Sequence, residues 1–154
     1  MSQGIFAALT YLENELQKIS PKTDSHNGFV AIQRGDGRTL ELDERSHQNR
    51  YFELSIQTFP QDDGQAGLSG RKRARIGCRV RYEIPVDVNF LYRMMGEDTS
   101  AIIDKLQAPE YDLVNTGIIT VITNEPTFDT LTNASGERVA HILTIPFDLL
   151  LLEA

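Results

Sequence analysis

The stretch RKRARIGCRVRYEIPVDVNF, residues 71–90, decides how the rest of the chain is read. Ile76, Cys78, Val80, Tyr82, Ile84, Val86, Val88 and Phe90 take every even position, and Arg73, Arg75, Gly77, Arg79, Arg81, Glu83, Pro85, Asp87 and Asn89 take the odd ones. Side chains alternate across a strand, so this spacing predicts one long strand with an apolar side and a cationic side. At about 3.3 Å per residue, a strand over 76–90 would extend roughly 50 Å, more than a domain of this length covers. One end is therefore expected to project or bend, near Gly77 or Pro85.

Charge sharpens the same stretch. Six cations lie between Arg71 and Arg81 in a chain of net charge -7, and no Asp or Glu occurs between Asp63 and Glu83. The protein is an acidic body with one basic strip. Arginines in register repel one another unless anions face them. Two kinds of anion fit: nucleic-acid phosphate, or the acidic surface of another copy of the same chain. No aromatic side chain is interleaved on the cationic side, because Tyr82 points the other way, so a base-stacking platform is not expected. The bland alternative is a solvated strand face.

Around this strand the sequence predicts an α+β domain. Its largely antiparallel sheet is packed against an N-terminal helix and a second short helix. Ile5, Leu9, Leu12, Leu16 and Ile19 recur at steps of four and three, with Ser2 placed to cap the helix and Ser20-Pro21 to stop it. GFVAIQRGDGRTLELDE reads as two short strands about a Gly35-Asp36-Gly37 turn. RYFELSIQTF is a half-buried strand, with Phe52, Leu54 and Ile56 inward. GEDTSAIIDKLQAP predicts the short helix, capped by Asp98 or Thr99 and ended by Pro109. GIITVIT and ERVAHILTIPFDLLLLE are the closing strands, the second with Val139, His141, Leu143, Ile145, Phe147, Leu149 and Leu151 on one face. Pro in EIPVDV and TIPFDL cannot donate a ladder hydrogen bond, which suits a sheet edge or bulge.

Length and composition fit a single domain over 1–154 with its own core. Residues 60–72 are expected to be a mobile hairpin loop, with Asp62, Asp63, Gly64, Gly67, Gly70, Arg71 and Lys72 as its docking residues. The start carries acids at Glu13 and Glu15 with no basic segment before them, so it reads as a helix rather than a secretory signal. No apolar run approaches the length of a membrane span. Cys78 is the single cysteine and is expected to be buried and inert, and the reducing cytosol is the natural place of synthesis.

Motifs for chemistry are lacking. GQAGLSGRK fails the P-loop frame, because Ser69 stands where the second glycine belongs and a strand follows where a helix is needed. His26, His47 and His141 have no metal-ligand spacing among themselves or with Cys78, and His141 reads as a core or interface histidine. Acid pairs occur at Asp43-Glu44, Asp62-Asp63 and Glu97-Asp98. The second lies in the expected mobile loop and the third where helix caps and first turns favour acids, and neither placement suggests a held catalytic pair. No catalytic, cofactor or metal residue can be assigned, and an enzyme is not expected.

The order and length of elements resemble the tail terminator family of long-tailed bacteriophages. GIFAALTYLENELQKI, RVRYEIPVDVNFLYR, DTSAIIDKL and RVAHILTIPFDLLLL carry the likeness. Related head-completion and tail-tube proteins share parts of the layout. The resemblance implies a virion structural protein that forms a ring, a hexamer, at the head-proximal end of the tail. Such a ring stops tail-tube growth and offers the head-joining surface, after assembly in the host cytoplasm. It implies as partners further copies of the chain, the tail tube protein, a head-completion or connector protein, and DNA passing through the lumen, with no membrane. Arg73, Arg75, Arg79 and Arg81 are then expected at the subunit interface or the lumen. A small nucleic-acid-binding module using the strip Arg71–Arg81 is the competing expectation.

Overall fold

A computed structural model describes residues 4–32, 49–62, 71–83, 87–107, 111, 116–132 and 134–152. The element order is helix α1 (Gly4–Gln17), strands β1 (Val30–Ala31), β2 (Tyr51–Asp62) and β3 (Arg71–Tyr82), helix α2 (Val88–Leu106), and strands β4 (Ile118–Thr123), β5 (Thr127–Thr132) and β6 (Arg138–Leu152). The strands form one mixed, curled sheet in the order β1-β2-β3-β6-β4, with β5 also paired to β6. Among the described residues only the short β1–β2 pairing is parallel. This is the α+β architecture that the periodicities predict.

The core lies between the helices and one sheet face. From α1 come Ile5, Ala8, Leu9, Leu12 and Leu16, and from α2 Leu91, Met94, Met95, Ile102 and Leu106. They meet the even side of β3 (Ala74, Ile76, Cys78, Val80, Tyr82) and Leu143, Ile145, Phe147, Leu149 and Leu151 of β6. Burying each such aliphatic side chain contributes about 1.5–3 kcal/mol relative to exposure. A smaller cluster on the opposite face joins Ile32 and Ile142 with Tyr51 and Leu131. Strand β6 thus buries apolar side chains on both faces, Leu143 and Ile145 on the helix side and Ile142 on the other.

The long strand over 76–90 is corrected. Strand β3 ends at Tyr82, and Val88 and Phe90 belong to a 19-residue helix. Asp87 is the N-cap: its backbone is extended and its carboxylate accepts from the Asn89 amide at 3.0 Å. From there the buried residues Leu91, Met94, Met95, Asp98, Ile102 and Leu106 follow helical spacing. Alternation through VDVNF imitates a strand because a helix's first turn buries little, leaving Val88 and Phe90 exposed. Asp98 and Thr99 accordingly lie within α2, not at its cap.

The hairpin boundaries are corrected as well. Asp62, Arg71 and Lys72 belong to the ladder, with Asp62 opposite Lys72 and Arg71 opposite Leu152. Asp63, Gly64, Gly67 and Gly70 lie outside the described residues, as do Ser2, the Gly35-Asp36-Gly37 turn, Asp43-Glu44, His47 and Pro85.

Pro146 sits in the central strand, in unbroken register with β3, rather than at the expected edge or bulge. Its neighbour on one side is Gly77 of β3. On the other side β4 stops at the partner of Phe147 and β5 begins at the partner of Thr144. The Pro146 carbonyl accepts from the Asn124 amide at 2.8 Å within that gap. The ring nitrogen faces the same break, so its missing donor costs the ladder nothing.

Candidate functional site

The arginines lie on the sheet face opposite the main core, as their odd numbering requires. Their neighbours come from β2 and β6. Arg79 is in register with Glu53, and its Nη1 lies 2.9 Å from Glu53 Oε1. Arg75 is in register with Asp148, with Nε 3.1 Å from Oδ1, and Arg73 Nη1 reaches Oδ2 of the same carboxylate at 3.5 Å. Arg81 stands between Tyr51 and Ile142 in the ladders and is half-buried. The anions needed to hold these arginines in register therefore include carboxylates of the same sheet. Neither Glu53 nor Asp148 stands out in the sequence, because only strand pairing sets them beside the strip.

The strip is uneven. Arg73 and Arg75 are 48% and 51% exposed at the side chain, whereas Arg79 is 25% exposed. A partner approaching this face meets Arg73 and Arg75 first. Between the two ends, Gly77 leaves room for Gln57: a Cβ there would stand 2.8 Å from Gln57 Nε2 and 3.3 Å from Ser55 Oγ. The register of β2 shifts between Ile56 and Thr58 and again before Gln61, and such bulges change the twist of a strand locally.

Behind the sheet lies a polar cluster that sequence patterning missed. Arg50, fully buried, donates through Nε to Asp98 Oδ2 at 2.7 Å and through Nη2 to Oδ1 at 3.2 Å. Its other donors reach the carbonyls of Asp24 and Asn27, both at 2.8 Å, and that of Thr23. The Tyr82 hydroxyl donates to Asp98 Oδ2 at 2.7 Å, and Phe29 stacks 5.7 Å from the guanidinium. Burial pushes the Asp98 carboxyl upward, and the bonds from Arg50 and Tyr82 oppose that without cancelling it. Burial, with the Asp98 charge, holds the Tyr82 hydroxyl well above its ordinary value. Arg50 has a φ of 72°, an uncommon left-handed conformation for a residue with a side chain. Its guanidinium donors all hold the 23–27 loop to α2, so the cluster reads as a clamp.

Other candidates disperse. Cys78 is buried and its thiol is pushed up to about 12 by desolvation. His26 is exposed. The half-buried His141 has Nδ1 3.1 Å from Thr130 Oγ1, with its pKa lowered by burial and by Arg138. Glu97 accepts from Thr23 at 2.6 Å and from Arg93 at 3.4 Å, so this acid supports the loop and the helix surface. Among the described residues no three His, Cys, Asp or Glu side chains are grouped to hold a metal, and no helix is long and apolar enough to cross a membrane. Comparison with known proteins matches no family model and no curated relative.

Proposed function

We propose that this chain is a structural subunit of a bacteriophage tail, of the tail terminator type. In this reading it self-associates into a ring that caps the tail tube and presents the head-joining surface. The observation that carries the reading is the half-exposed pair Arg73 and Arg75 at the far end of a 12-residue hairpin strand, in a chain that is otherwise acidic. A basic end on an acidic body is self-complementary in a head-to-tail sense, and such contacts close into rings when the rotation permits. The helix-plus-sheet layout supports the same reading, as does the element order that resembles the terminators. Head-completion and tail-tube proteins are the neighbouring readings within the same structural class.

Mass in solution together with negative-stain electron microscopy, with and without purified tail tubes, tests it. Rings of the free protein, or protein bound at tube ends, are the expected result. A strictly monomeric mass at high concentration, with tubes that fail to recruit the protein, overturns it.

A second reading, a nucleic-acid-binding module, follows from the same exposed guanidinium groups, since arginine neutralises phosphate. Its signature is a DNA affinity that falls steeply with salt. Affinity that survives a rise from low to physiological salt unchanged would exclude it.

A further inference from the structure

We propose that the outer edge of β5 is the surface on which the exposed arginines of a second copy dock, with Glu125 and Asp129 as counter-charges and the Tyr92–Phe128 pair as an aromatic wall. This rests on the self-assembly reading above and names its two surfaces.

Three features of that edge suit an arginine-bearing partner. The first is charge. Glu125, in the connection from β4, and Asp129, in mid-strand, are exposed and make no ion pair among the described residues. Asp129 shares the arginine face, but Ile142 of β6 separates it from Arg81, two strands or about 10 Å away. The acid and the strip of one copy therefore stay apart, while those of two copies can meet.

The second feature is aromatic. Tyr92 and Phe128 pack edge to face at 6.0 Å, yet remain 52% and 49% exposed, with Val88 one helical turn away and also exposed. Guanidinium groups stack on such rings as well as pairing with carboxylates. Residues alternate along β5, so Phe128 faces the helix side and Asp129 the arginine side, and a partner lying on the edge meets both.

The third feature is the state of the edge itself. β5 is exposed along nearly its whole length, and among the described residues it is paired only to β6. Strand β2, whose outer side pairs with β1 only at Tyr51 and Phe52, carries two register shifts and Pro60 beyond that pairing, devices that blunt an edge. The two patches differ and lie on different strands, so the contact is heterologous, as a ring requires.

The full-length chain tests this by charge exchange. One variant carries Glu125→Lys with Asp129→Lys. The other carries Arg73→Glu and Arg75→Glu with Asp148→Arg, which reverses the exposed patch while keeping its local pairing. Sedimentation should show association weakened by about a hundredfold in each variant alone, because like charges then face each other. An equimolar mixture should regain assembly, since each reversed surface finds its opposite on the other variant. Tyr92→Ala, at an exposed position, should weaken assembly with the fold intact by circular dichroism. If the lysine variant assembles as well as the wild type, the β5 surface is wrong and the self-assembly reading stands. If the wild type itself stays monomeric with tail tubes present, both fall together. The lysine variant and Tyr92→Ala alone decide the matter should the triple variant fail to fold.

Discussion

Arg50 and Asp98 form an ion pair at 2.7 Å that solvent does not reach, the side chains being 0% and 2% exposed. The pair joins the turn before β2 to the middle of α2, and its remaining donors tie down the loop after α1. Removing one partner of such a pair leaves a buried charge without compensation, which costs about 3–5 kcal/mol. Asp98→Ala and Arg50→Ala should each lose stability of that order in urea unfolding. Arg50→Lys should recover little, because an ammonium cannot reproduce the planar five-donor fork. A loss under about 1 kcal/mol for Asp98→Ala would show that the clamp is dispensable.

The same region sets an alkaline limit. Tyr82 and Cys78 both have folded-state pKa values raised by burial, that of Cys78 to about 12. An acid with a raised folded pKa stabilises the fold fully below its unfolded pKa, and that contribution is lost as pH rises towards the folded value. Stability should therefore fall from about pH 9 upwards, first through the thiol and then through the phenol. Cys78→Ala should remove the earlier part of the slope and Tyr82→Phe the later part. A wild-type stability that stays flat to pH 11 would contradict the assignment.

The start of α2 depends on Asp87, whose carboxylate accepts from the Asn89 amide at 3.0 Å. Asp87→Ala should cost about 1 kcal/mol, and Asp87→Asn or Asp87→Ser much less, by thermal unfolding. Amide exchange at Asn89 should quicken in the alanine variant alone. Equal exchange in all of these variants would mean that the helix does not begin there.

Across the strip, Arg79 and Glu53 are direct cross-strand neighbours at 2.9 Å. Arg79→Glu alone sets like charges opposite each other and should cost about 1 kcal/mol or somewhat less. The exchange Arg79→Glu with Glu53→Arg should restore most of it. Additive losses in a double-mutant cycle would show that the pair is not coupled.

The sequence alone determined those features whose physics is local and repetitive. Helical spacing of Ile5, Leu9, Leu12 and Leu16 marks a buried helix face, and alternation from Ala74 to Tyr82 separates an apolar side of β3 from a cationic one. Those periods follow from backbone geometry, so one strand or one helix displays them unaided. Where local rules conflict, as in VDVNF, the capping carboxylate of Asp87 and the burial of Leu91 and Met94 against the sheet decide for helix over strand. Strand β5 escapes the pattern because its residues are almost all exposed and leave no buried period to detect. The acids that face the arginines were decided only by the tertiary structure. Glu53 and Asp148 lie 26 and 73 residues from Arg79 and Arg75. The Arg50–Asp98 pair likewise spans 48 residues. Strand register and helix docking create such meetings by closing long loops, and no periodicity along the chain records which residues those closures bring together.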